Sequence, residues 1–206
     1  MSEISLIAPP ISRPRLRAVA QGLRDLVQPK GDKFVDVVQI LESGFLGLIA
    51  PGFEWRITDR HELPLEHGLT DFSEKFVIIR EDVYEGAIAG QGRDRLTVVH
   101  EIGHAILHNE VKLARPATNA VSPKRYQCPE WQANCFAGEF LLDVRELTAP
   151  LSIEQISQEF GVSVLAAKIQ LNAYQRENLI DQQGALYWPT QTKSPKSGGN
   201  HFSGFR

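Results

Sequence analysis

The stretch LTVVHEIGHAILH, residues 96–108, carries three of the chain's six histidines, His100, His104 and His108. On an α-helix His100 and His104 stand ~40° apart around the axis and ~6 Å apart along it, so both rings share one face. Zinc bonds imidazole nitrogen at roughly 2.0–2.1 Å, and a pair at this spacing can converge on one ion. Glu101 is turned ~100° from His100, where it can face a water held at the ion without binding the metal. The pattern HExxH therefore reads as two ligands with a general base between them. The metal acidifies a water, and the glutamate takes its proton as it attacks a polarised carbonyl. His108 lies ~12 Å from His100 along the axis, too far for one ion to hold both. It reads as a C-terminal residue suited to the helix dipole, or as a polar contact at the rim of the site. The plain alternative is a pair of histidines on an amphipathic helix with no metal. Leu96, Val99, Ile102, Ile106 and Leu107 supply an apolar surface that buries the helix. Gly103 costs helix stability, which implies a close neighbour.

Around this stretch the periodicities alternate between helix and strand. RPRLRAVAQGLRDLVQ (13–28) sets Leu16, Val19, Leu23 and Leu26 along one helical stripe, and DKFVDVVQILESG (32–44) repeats the pattern before Gly44. FEWRITD (53–59) and KFVIIRED (75–82) read as strands. HELPLEHGLTDFS between them reads as a loop or hairpin connection, and DVYEGAIAG as a short helical turn. Helices follow over 93–108 and 129–142. Two shorter ones come next, SIEQISQEF and VLAAKIQLNAYQREN, joined by GVS. Residues 1–12 read as a loose lead-in, and 191–206, polar and rich in Gly and Ser, as a flexible tail.

A catalytic zinc needs a third protein ligand and an open position. QCPEWQANCFAGEFLL (127–142) offers two carboxylates. Pro129 suits the first turn of a helix and sets Glu130 at its N-terminus. Asn134 is one turn further on the same face, where it could orient a ligand histidine. Glu139 is the rival, ~180° from Glu130 around the helix, so only one of the two can face the metal. Spacing does not choose between them. Cys128 as a thiolate could also ligate zinc, but in a closed structural site the base of HExxH would be superfluous. Cys128 and Cys135 read as free thiols.

RDRLTVVHEIGHAILH, then CPEWQANCFAGEFLLD, then ISQEFGVSVLAAKIQL resemble the ImmA/IrrE family of zinc metallopeptidases over roughly residues 76–172. That family pairs HExxH on one helix with ExxAN-F-A-x-x-L-L on the next. The resemblance implies an α+β, zincin-like core of a small sheet and active-site helices, followed by a small helical, helix-turn-helix-like subdomain. It implies His100, His104 and Glu130 as zinc ligands, Glu101 as catalytic base, and Asn134 behind them. It further implies a helix-turn-helix transcriptional repressor as the protein substrate, whose cleavage relieves repression, including that of stress-response genes. Leu142–Asp143 departs from the Met-Pro usual after the Leu-Leu pair and lies beyond the site. Tyr84, Arg125, Tyr126 and His108 are candidates for the donor to the developing oxyanion.

Composition sets the outer bounds. A formal net charge of −3 gives no global attraction to nucleic acid. The second helix of the helix-turn-helix-like pair offers Lys168 and Gln170 among Val, Leu and Ala, which argues against direct DNA reading. The opening MSEISLIAPPISRPRLR lacks the basic-then-apolar order of a signal peptide, and no window approaches a membrane span. Two cysteines are too few for a secreted disulfide framework. The expectation is a cytoplasmic zinc endopeptidase: a metallopeptidase domain over 1–148, a helical subdomain over 149–190 and a tail over 191–206. One ion per chain is expected, with another divalent metal equally compatible with this donor set. The alternative function is a non-proteolytic regulator that binds a repressor or DNA through its helical C-terminal half, with a structural metal.

Overall fold

The structure is a computed structural model that describes residues 6–28, 31–110 and 124–181. The expected tail over 191–206 lies outside the described residues. Eight α-helices and three strands are described: α1 Arg13–Val27, α2 Val37–Glu42, α3 Phe45–Ile49, β1 Glu54–Thr58, β2 Gly68–Asp71, β3 Phe76–Arg80, α4 Glu81–Ile88, α5 Gly92–His108, α6 Pro129–Leu141, α7 Ile153–Phe160 and α8 Val164–Arg176. This is the α+β class expected from the sequence, with a small sheet and many helices.

The sheet order is β1-β3-β2, with β1 parallel and β2 antiparallel to β3. β3 is central, and its residues Val77, Ile78, Ile79 and Arg80 are all buried. β-Branched side chains pack well on such a pleated surface. β2 falls inside the segment read as a connection. It is four residues long and begins with Gly68 after Pro64, so it carries little strand signal of its own. Its place comes from pairing with β3 through a turn at Asp71, whose Oδ1 accepts from the backbone N–H groups of Ser73 and Glu74.

α5 and α6 pack together more extensively than any other pair. Gly103 permits this: a Cβ there would lie 2.9 Å from Cδ1 of Phe136 on α6. Ile102, Phe136 and Phe140 are fully buried between the layers, and each such side chain stabilises the fold by roughly 2 kcal/mol. Pro129 at the first turn of α6 and Glu130 beside its positive dipole end fix where that helix starts.

Two expectations are corrected. The helix read over 32–44 begins at Val37, because Asp36 caps it, accepting from the N–H groups of Val38 and Gln39. The preceding carbonyls of Asp32 and Lys33 accept instead from the Arg24 guanidinium. Within the lead-in, residues 6–12 are tied down rather than loose. Ala8 is buried and donates its N–H to Gln127 O, and Ile11 donates to Tyr126 O.

The α7–α8 pair docks on the start of α5. A Cβ on Gly92 would lie 2.4 Å from the backbone of Val162 and Ser163 in the intervening turn. Gly161 there adopts φ 60°, which a glycine reaches at no steric cost. Arg95, nearly inaccessible, donates from Nε to Gly161 O and stacks its guanidinium 3.7 Å from the Phe34 ring centroid. Among the described residues no helix is long and apolar enough to cross a membrane.

Candidate metal centre and catalytic cleft

His100 and His104 leave α5 on one face and point at the start of α6. Their Nε2 atoms are 3.0 Å apart. Glu130 closes the group, with Oε2 3.2 Å from His100 Nε2 and Oε1 3.3 Å from His104 Nε2. One donor atom from each residue lies within 4.8 Å of the others. Two ligands bound at ~2.1 Å in tetrahedral geometry sit ~3.4 Å apart, so these separations suit a single ion. The chemistry of the set also fits: two imidazole nitrogens and a carboxylate oxygen are donors that zinc takes.

The electrostatics ask for positive charge. Burial disfavours a charged His100, yet the hydrogen bond to Glu130 and the charges of Glu101 and Glu130 raise its pKa above the ordinary value. The hydrogen bond to His100 and the close approach of His104 hold Glu130 well below the usual carboxylate range. Glu139 does not compete for the site. It lies on the opposite side of α6, its side chain inaccessible, bonded to Arg13, Arg17 and Tyr174.

Glu101 follows His100 but turns toward the sheet. It is 7% exposed, and burial raises its carboxyl above the ordinary value. Thr70 on β2 holds it, the hydroxyl lying 2.7 Å from Glu101 Oε2 and 3.0 Å from its backbone carbonyl. Gly68 on the same strand makes room, since a Cβ there would come within 2.8 Å of Glu101 Cγ. Neither residue is singled out by sequence patterning, because the contact depends on the placement of β2. The Gly in a short segment beside a strand is the one available signal, as a mark of close approach.

Asn134 donates from Nδ2 to Glu130 O at 2.8 Å and lies near enough to His100 to help raise its pKa. His108 is buried rather than at a rim: its Nδ1 is 3.1 Å from His104 Nδ1 and its Nε2 2.8 Å from Gln132 Oε1. Burial depresses its pKa. Of the oxyanion candidates, Tyr84 bonds Glu42 and stacks on Trp55, while Arg125 lies over Trp131. Tyr126 contributes its carbonyl to Gln132, and its ring lies beside Lys124. None of these side chains is brought against the His100–His104–Glu130 group. Cys128 is part-buried and Cys135 buried, both free thiols.

A cavity of about 230 Å³ opens over this group, lined by Glu66, Gly68, Leu69, Thr70, Phe72 and the four site residues. A larger hollow of about 500 Å³ lies between Gly44 and Trp55 and contains none of them. Donor chemistry, not size, picks out the first.

A model of the IrrE N-terminal-like domain, a peptidase family, matches residues 65–172, just over half of the chain. The chain belongs to the IrrE N-terminal-like family. The match begins early enough to include β2, with its Gly68 and Thr70, and runs through α7 into α8. The family's peptidase class makes this a metallopeptidase-type domain, in keeping with the His-His-Glu group. The fold is also similar to the solved structure of a Mycobacterium tuberculosis transcriptional regulator, with a TM-score of 0.52 and 15% identity. That likeness covers 85% of this chain and 48% of the regulator, so the chain spans about half the regulator's length. No curated protein matches the chain by sequence.

Proposed function

We propose that this IrrE-like protein is a zinc-dependent endopeptidase that cleaves a helix-turn-helix repressor in the cytoplasm and thereby relieves repression. The observation that carries the reading is the convergence of His100, His104 and Glu130 beside a buried, hydrogen-bonded Glu101 in one cleft. In this reading His100, His104 and Glu130 hold the zinc and Asn134 steadies His100 and Glu130. The ion, when bound, supplies Lewis acidity toward a scissile carbonyl and an attacking water. Glu101 takes the proton of that water and passes it to the leaving amine. Its burial suits both halves of the task, since a carboxyl of raised pKa holds a proton long enough to deliver it. Thr70 holds Oε2, which leaves Oε1 for the proposed proton transfer.

The sheet supports a peptide as the substrate. β2 lies at the end of the sheet order, and its residues Gly68, Leu69 and Thr70 line the cleft. An extended backbone can add to such an edge through main-chain hydrogen bonds. On the exposed side of α8 stand Val164, Leu165 and Ile169 rather than a row of basic residues, which favours protein contact over DNA phosphates. We accordingly assign 1–148 to catalysis and 149–190 to support or docking of the substrate.

The test is incubation of the zinc-loaded protein with the repressor encoded beside its gene, followed by mass analysis of the products. A defined cut by the wild type that disappears with Glu101→Gln, at unchanged zinc content, is the expected result. Intact repressor in both, with repressor still bound, would instead favour a non-proteolytic regulator.

A further inference from the structure

Behind His104 a line of hydrogen bonds runs away from the cleft. Gln132 on α6 is completely buried, and its Nε2 donates to the carbonyl oxygens of Pro9 and Tyr126, each at 2.8 Å. Both amide hydrogens are used, so the group it turns to His108 is Oε1, 2.8 Å from His108 Nε2. An amide oxygen only accepts, so His108 Nε2 carries the hydrogen. The Nδ1 of the neutral ring is then a bare lone pair, and it faces His104 Nδ1 at 3.1 Å. Two bare nitrogens cannot bond, so the hydrogen between them belongs to His104 Nδ1. In a neutral ring that leaves the lone pair of His104 on Nε2, and this is the atom 3.0 Å from His100 Nε2 and 3.3 Å from Glu130 Oε1. Each step fixes the next, starting from two backbone carbonyls that can act only as acceptors.

We propose that His108 and Gln132 are positioning residues that lock His104 in the Nδ1–H tautomer, presenting its Nε2 as a bare donor to a metal ion. This rests on the metal reading of the site given above. A ligand histidine commonly gives its second N–H to a carboxylate, a backbone carbonyl or water. Here the acceptor is a second histidine, whose neutral ring can accept at Nδ1 only if its far nitrogen, Nε2, carries the hydrogen. Gln132 does that, and it does so because the segment around Pro9 and the turn at Tyr126 pin its amide. The third histidine of the opening stretch thus serves the site without reaching the ion.

The test uses the full chain. Nitrogen-15 spectra of the metal-free wild type with labelled histidine read the tautomers directly: His104 protonated at Nδ1 and His108 at Nε2 is the expected pattern. Zinc affinity is then measured by competition calorimetry for wild type, His108→Leu and His108→Asn. The leucine variant should bind roughly 10- to 100-fold more weakly, the range for lost partners of metal ligands. The asparagine variant places a side-chain oxygen where Nδ1 stood and should recover most of that loss, which a role in packing alone would not predict. His104 bare at Nδ1 in the wild type would overturn the proposal, as would undiminished zinc affinity in the leucine variant. The spectra concern the folded wild type, so misfolding of a variant does not remove the test. A wild type that takes no zinc would defeat the metal reading, while the same spectra still decide the tautomer.

Discussion

On the proposed function, Gly68 and Thr70 act through their neighbour Glu101. A methyl group on Gly68 would press on Glu101 Cγ at 2.8 Å and approach Oε1 at 3.3 Å. Gly68→Ala is therefore expected to lower kcat by about tenfold or more, with zinc content unchanged by metal analysis, because ~1.4 kcal/mol of lost positioning suffices. Thr70→Val removes the hydroxyl from Glu101 and should cost a similar factor in kcat with little change in KM. Equal loss in both parameters would mean that the strand, not the base, had moved. The two cysteines allow a chemical check. Burial pushes the Cys135 thiol up to about 12, so at pH 8 only about one molecule in 10⁴ carries its thiolate. Iodoacetamide on the native protein should modify Cys128 and spare Cys135, as peptide mass spectrometry would show. At this scale the approach of His100 and His104 was legible, because helical spacing alone sets it. The surroundings of Glu101 and His108 were not. Thr70 is 31 residues from Glu101, and Gln132 is 24 from His108, so no local pattern links either pair.

Among the elements, long amphipathic helices declared themselves and short pieces did not. α1 buries one stripe, Leu16, Ala20 and Leu23, which the sequence displays every third or fourth residue, whereas α5 and α6 are buried around most of their surface. β2 offers Gly-Leu-Thr-Asp, and nothing in those four residues demands a strand. α2 starts late because one aspartate supplies a better cap than the apolar spacing supplies a helix. The docking of α7–α8 depends on Gly92, whose missing side chain lets two backbones touch. Gly92→Ala would drive a methyl into the main chain of Val162 and Ser163, which cannot swing aside as a side chain can. A loss of about 1–3 kcal/mol is expected from such overpacking. Urea unfolding with an unchanged slope and a lowered midpoint would report it.

Across the whole molecule, one buried carboxylate joins three helices from distant parts of the chain. Glu139 on α6 accepts from Arg13 and Arg17 on α1 and from Tyr174 on α8. Glu139→Leu would leave Arg13 and Arg17 only Glu177 and Gln170 as partners, a loss of about 1–3 kcal/mol. Thermal unfolding should show it as a clear drop in Tm, and the joint variant with Arg13→Met and Arg17→Met should recover part of the difference. The sequence marked Glu139 only as a rival metal ligand, since a carboxylate among apolar neighbours advertises a partner without naming it. The same junction sets an order of events during synthesis. Arg13 and Glu139 are 126 residues apart in the chain, and Tyr174 follows 35 residues after Glu139. The helix that bears Glu130 cannot be clamped from both sides until nearly all of the described chain has left the ribosome. Contacts of such long separation form late and slowly. On the proposed function, this order would spare a nascent chain a working proteolytic centre while its own unfolded segments are still within reach.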